Sequence, residues 1–165
     1  FGEANFSGKL PYTYPRYDGI MEFYDHPKST ARGKSNKFDA YNPQWNFGFG
    51  LSYSKLVYAD LTLSATELME GDSIKIQVKV TNESNRSVKE VVQLYIADEY
   101  ASVVPANKRL KAFEKISLAA KETKTVDFYI SSENLKFVDI DNQWITEKGS
   151  FKVMIEALST KFELK

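Results

Sequence analysis

Cysteine is absent from all 165 residues. That excludes disulfides, thiolate metal sites and a thiol nucleophile. It leaves the compartment open, because many secreted bacterial proteins also lack cysteine. Histidine occurs once, at His26, so no histidine cluster can form and a Ser–His–Asp triad would depend on that one ring. Pro27 beside it and the loop setting predict an exposed side chain. Net charge is missing as well, since 22 basic and 22 acidic residues cancel. Without a basic excess the chain lacks the footprint of a nucleic-acid binder, and no nucleic-acid partner is expected. No apolar run approaches the ~20 residues needed to cross a bilayer, so no membrane span is expected. Residue 1 is Phe rather than Met, which makes the lack of a leader uninformative.

What is present is a two-residue rhythm. Hydrophobic residues make up 42% of the chain, enough for a core. From Leu56 onward they alternate with polar ones, as half-buried strands require. Ile74, Ile76, Val78 and Val80 point one way, while Lys75, Gln77, Lys79 and Thr81 point the other. Leu61 and Leu63, then Val126, Phe128 and Ile130, then Phe151, Val153 and Ile155, and finally Phe162 and Leu164 repeat the pattern. Lys89 to Asp98 leaves neither face polar, which predicts a central strand covered on both sides. Between Leu110 and Leu118 the alternation slips by one residue, which predicts a β-bulge.

Turn residues separate these runs at Glu70-Gly71-Asp72, Asn82 to Ser87, Ala119 to Glu122, Asp141-Asn142 and Lys148-Gly149. Ser131 to Leu135 reads as one helical turn with a serine cap. The fold predicted is all-β: an antiparallel immunoglobulin/fibronectin-III-like β-sandwich of about seven strands, with an irregular N-terminal extension. The missing Cys–Trp–Cys pattern of antibody domains favours the fibronectin variant.

The first fifty residues differ in kind. They hold four of the five prolines and the aromatics Tyr12, Tyr14, Tyr17, Phe23, Tyr24, Tyr41 and Trp45. A free linker is poor in aromatics, so this segment is expected to pack on something. Lys28 to Lys37 is its polar exception and reads as an exposed loop.

Four segments carry a family resemblance. Asn-Phe-Ser-Gly-Lys-Leu-Pro at Asn5 to Pro11 resembles an element near the end of the second domain of glycoside hydrolase family 3. Phe47-Gly48-Phe49-Gly50-Leu51-Ser52-Tyr53 is similar to the element leading into that family's C-terminal fibronectin-III-like domain. Lys89 to Tyr95 and Leu110 to Ile116 resemble two strands within it. Phe6 and Ala112 depart from the family pattern, which has Pro and Gly there. The resemblance implies residues 1–16 as the end of an α/β sandwich domain, 17–55 as a connector and 56–165 as the fibronectin-like domain.

It further implies a parent that is a retaining β-glucosidase or related exo-glycosidase, secreted or periplasmic, acting through two carboxylates. The expected partners are the barrel and α/β sandwich domains of the same parent chain, with carbohydrate substrate reached only through that parent. The family's catalytic motifs are not in this chain, so no catalytic residue is assigned, and no metal or cofactor is expected.

Tyr41, Trp45 and Phe47 are the candidates for sugar contact, because aromatic faces stack on the apolar face of a pyranose. Leu10, Tyr12, Tyr14, Phe49, Tyr53 and Phe113 are the candidates for packing between domains. Glu3 is the acid nearest the first motif and reads as a surface carboxylate. Asp139 and Asp141 hint at calcium but fit an ordinary Asp/Asn-rich hairpin tip. Lys108, Arg109, Lys111 and Lys115 form a basic group suited to solvent or to an acidic patch. Asn5 and Asn82 begin glycosylation acceptor patterns. The alternative reading is a carbohydrate- or protein-binding sandwich, with Tyr95 and Tyr129 as its outward aromatics.

Overall fold

A computed structural model describes residues 4–28 and 41–165. Glu3 and most of the Lys28 to Lys37 segment lie outside the described residues. Among the described residues ten strands follow in order: β1 (Leu56–Leu63), β2 (Glu67–Leu68), β3 (Ser73–Asn82), β4 (Val88–Asp98), β5 (Arg109–Leu118), β6 (Thr123–Ser131), β7 (Phe137–Val138), β8 (Trp144–Ile145), β9 (Gly149–Ile155) and β10 (Leu158–Leu164). The count of about seven is therefore corrected to ten. Seven of them are at least seven residues long. The other three have two residues each, too few to display an alternation.

The strands form a three-stranded sheet, β1-β3-β6, and a five-stranded sheet, β2-β10-β9-β4-β5, with β7-β8 as a separate pair. All pairings are antiparallel except β10 with β2, which runs parallel. The core lies between the two sheets, where the alternating residues meet. Ile74, Ile76, Val78 and Val80 stand opposite Ile130, Phe128, Val126 and Lys124 across β3 and β6. From the other sheet come Val92, Leu94, Ile96, Phe151, Val153, Ile155, Phe162 and Leu164, all buried.

Two register shifts set local geometry. On β5 the residues facing Leu94 and Tyr95 are Ala112 and Leu110, so Lys111 is the extra residue of the expected bulge. On β1 a second shift falls between Ala59 and Thr62, with Asp60 at φ 53°. It carries the inward-facing set from Leu56 and Tyr58 to Leu61 and Leu63. The turn after β6 is a 3-10 helix, Ser132–Leu135. It is held by the Asn134 side chain, which accepts from the Ser131 N–H at 2.8 Å.

Strand β4 is buried on both faces, as its sequence predicts: Val92, Leu94 and Ile96 inward, and Tyr95 and Ala97 outward. The cover on its outer face comes from the N-terminal segment. No helix among the described residues is long and apolar enough to cross a membrane.

Candidate functional site

The N-terminal segment folds into a two-stranded ribbon. Leu10 N–H donates to Phe49 O at 2.8 Å, Gly48 N–H to Leu10 O at 2.8 Å, and Tyr14 N–H to Trp45 O at 2.9 Å. Gly50 permits this closeness, because a Cβ there would stand 2.6 Å from Gly8 O. Tyr14 and Trp45 are direct cross-strand partners and so share a face. Tyr12 lies 6.1 Å from Tyr14, and Phe49 stacks on Trp45 at 5.2 Å. All four rings are exposed, as are Phe6 and Tyr53 beside them.

Three contacts fasten the ribbon to the sandwich. The first is a charge pair: Lys9 Nζ meets Glu90 Oε1 at 2.7 Å, with 14% and 6% of the two side chains exposed. The Tyr58 hydroxyl donates to the same carboxylate oxygen at 3.0 Å. Burial and then the Glu90 charge push the Tyr58 pKa upward, so it remains a donor.

The second is an aromatic stack. Tyr24 lies on Phe47 at 4.1 Å, and both present edges to Tyr95 at 6.5 and 6.4 Å. Lys108 Nζ sits over the Tyr95 ring at 4.4 Å, a cation–π contact. Burial pushes the Tyr95 phenol up to about 12. Gly48 makes the approach possible: at φ +79° a Cβ would lie 2.5 Å from both Gln93 Oε1 and Tyr95 OH.

The third contact corrects an expectation, because His26 is buried rather than exposed. Its Nδ1–H donates to Pro27 O at 3.0 Å, and Asn107 Nδ2–H donates to Nε2 at 2.9 Å. Its ring packs on Tyr41 at 4.2 Å. A loop pairing of Pro27 with Ala106 closes over it, and a pairing so distant leaves no mark on local sequence.

The sequence candidates therefore scatter. Phe47 is in the stack, Tyr41 is against His26, and of the three sugar-contact candidates only Trp45 is on an exposed face. Tyr12, Tyr14 and Phe49 gather with it on the ribbon, Leu10 is half-buried within it, and Phe113 is exposed on the outside of β5. Tyr95 is not an outward aromatic open to ligand but the platform under the connector. Tyr129 remains exposed.

Asn82 is fully buried and donates to Arg86 O and Ala119 O, so the folded chain cannot present it for glycosylation. Asp139 accepts from the N–H groups of Asp141 and Gln143, as a turn residue does. No group of three metal-ligating side chains gathers among the described residues. Sequence reasoning missed Lys9, Glu90 and Tyr58. Each sits in or near a quoted motif, but nothing local says that they meet.

Gly48→Ala is expected to destabilise the chain by about 1–3 kcal/mol, through overpacking and a left-handed backbone carrying a Cβ. Urea denaturation measures the loss, and near-UV circular dichroism reports the Tyr24–Phe47–Tyr95 stack. Stability within about 0.5 kcal/mol of the unsubstituted chain would mean that Gly48 is not needed for the approach to Tyr95.

A fibronectin type III-like domain model matches residues 90–159. A putative beta-xylosidase of Formosa agariphila is 41% identical over 170 residues, covering 100% of this chain and 22% of that protein. A periplasmic beta-glucosidase of Salmonella typhimurium is 39% identical, covering 94% of this chain and 22% of its own length. The crystal structure of a beta-glucosidase from Listeria innocua in complex with isofagomine superposes with a TM-score of 0.88 at 31% identity. That match covers 99% of this chain and 25% of the other. The chain thus spans less than a quarter of the curated relatives named here.

Proposed function

Because this chain is a fibronectin type III-like C-terminal region of the glycoside hydrolase family 3 proteins, we propose that it serves as a non-catalytic brace for sugar-cleaving domains of a longer parent. In this reading residues 1–16 end an α/β sandwich domain, 17–55 connect, and 56–165 form the brace. The parent is a retaining β-glucosidase or related exo-glycosidase. Its compartment is secreted or periplasmic, in keeping with the periplasmic relative.

The observation that carries the proposal is the ribbon's exposed aromatic face. Tyr12, Tyr14, Trp45 and Phe49 stand in one patch at 37–50% exposure, on a ribbon tied to the sandwich by a buried charge pair. A contiguous patch of exposed aromatics is the kind of surface that another protein domain or a ligand covers. A rigid tie passes that domain's position on to the sandwich. Errors of about 1 Å in positioning cost ~10²-fold in rate, so a brace matters to catalysis without touching substrate.

Of the two outward aromatics that the rival binding-module reading draws on, Tyr95 is covered by the connector and Tyr129 remains exposed. The test uses the full-length parent carrying Tyr14→Ser and Trp45→Ser together. Its kcat/KM on an aryl glucoside is expected to fall at least ~10-fold, with a lower thermal midpoint, while the 165-residue chain with the same changes stays folded. A parent that keeps its full turnover and midpoint rejects the brace.

A further inference from the structure

At the C-terminal end of β4 the sandwich opens into a pocket of about 290 Å³. Its floor is core: Ile96, Leu135 and Phe151. Trp144, on the β7-β8 pair, stands at its edge with 68% of its surface exposed. Three cations line it, Arg109, Lys111 and Lys136, against a single carboxylate, Asp98.

Most of these charges are already answered. Lys136 pairs with Glu133 at 2.7 Å, and Arg109 reaches Asp25 at 3.7 Å. Asp98 Oδ1 accepts from the Tyr100 N–H at 3.1 Å, and burial pushes its pKa up. Lys111 is the exception. As the bulge residue of β5 it is turned out of the ladder's alternation and half-buried. Burial and the like charge of Arg109 hold its pKa down. No carboxylate stands within ion-pair distance of it among the described residues. An ammonium so placed loses solvation with nothing in return until an anion arrives.

The walls select the rest of the ligand. An apolar floor offers no partners for the many hydroxyls of a sugar, but it suits a ring or branched alkyl group. The volume is at the lower edge of the ~300–1,000 Å³ of small-molecule pockets, which suits a body of about one ring. Asp98, which also lines the pocket, opposes a doubly charged phosphate. We propose that this pocket binds a small carboxylate with an apolar body, its carboxylate on Lys111 and its body over Ile96, Leu135 and Phe151 beside Trp144. The proposal stands whether or not the ribbon braces another domain.

The test follows Trp144 fluorescence in the Trp45→Phe chain, which leaves one of the two tryptophans. The probes are 3-phenylpropionate, its neutral amide, acetate and inorganic phosphate. Saturable binding of 3-phenylpropionate with Kd at or below ~1 mM is expected, with the other three at least ~10-fold weaker. Lys111→Met should weaken the acid ~10-fold, and Lys111→Arg should retain it.

Equal binding of acid and amide overturns the proposal, as does phosphate binding as tightly as the acid. So does an acid that shows no saturation by ~20 mM, or one that a folded Lys111→Met chain binds unchanged. The acid–amide comparison needs no Lys111 variant, so the outcome survives a variant that does not fold.

Discussion

Phe162→Ala is expected to destabilise the chain by about 3–5 kcal/mol, the largest loss from any single core truncation. Phe162 is 1% exposed and the bulkiest of the fully buried side chains. It lies on β10 directly opposite Phe151 of β9, and the two rings stack at 5.5 Å. Truncation removes the transfer energy of a phenyl ring, abolishes the ring pair and leaves a cavity that two hydrogen-bonded sheets cannot close.

A domain of this kind has about 5–15 kcal/mol in total, so such a loss approaches unfolding at physiological temperature. Phe162→Leu keeps most of the volume and should cost about 1–1.5 kcal/mol. Urea denaturation with a shared slope measures both. A Phe162→Ala midpoint that implies less than about 1 kcal/mol would mean that the two sheets do not pack on this ring.

Lys9→Met is expected to cost about 3 kcal/mol, by stranding the Glu90 carboxylate. Glu90 is 4% exposed, and its oxygen serves both Lys9 at 2.7 Å and Tyr58 at 3.0 Å. A methionine keeps the aliphatic stem of Lys9 and deletes only the charge. The buried carboxylate then either pays its full desolvation or drives the ribbon off to admit water.

Glu90→Gln should cost less. It leaves a hydrogen-bond acceptor for Tyr58, and Lys9, with 14% of its side chain exposed, can find water. The double variant Lys9→Met/Glu90→Gln has neither charge and should recover much of the loss. The expected coupling is about 1–3 kcal/mol, far from additive. Limited proteolysis gives a second readout, with faster cutting N-terminal to Leu56 in Lys9→Met and near-normal resistance in the double variant. Strictly additive losses with unchanged proteolysis would dissolve the link between ribbon and sandwich.

The resemblance of Asn5 to Pro11 and of Lys89 to Tyr95 to separate family elements gains a physical sense from this pair. Lys9 lies in the first element and Glu90 in the second. Gly48 and Gly50 in the Phe47 to Tyr53 run are likewise spacing residues: one lets the connector settle on Tyr95, the other lets it close on Gly8. These glycines mark contact distances rather than chemistry.

Local order decided how legible each part was. The long strands were readable because a strand that buries one face must alternate, and Ile74 to Val80 or Phe151 to Ile155 does so within a few residues. The slip near Lys111 was readable for the same reason, since an extra residue breaks the count. The strands β2, β7 and β8 are too short to carry a period, and the parallel docking of β2 on β10 joins Glu67 with Glu163 across nearly the whole domain. His26 and Asn107 are 81 residues apart, and nothing around His26 foretells that a second loop seals it. Tyr95 looked like an outward ring, and it is one; only the fold supplies Phe47 and Tyr24 to cover it.

The sequence by itself therefore determined the sandwich, its long strands, its bulge and its kinship, because each is written in residues close along the chain. Only the tertiary structure decided which aromatics are covered, which carboxylate is buried against which lysine, and where an unanswered ammonium faces a pocket. Those outcomes depend on surfaces brought together by folding, and burial, unlike alternation, is a property that no short stretch of chain possesses alone.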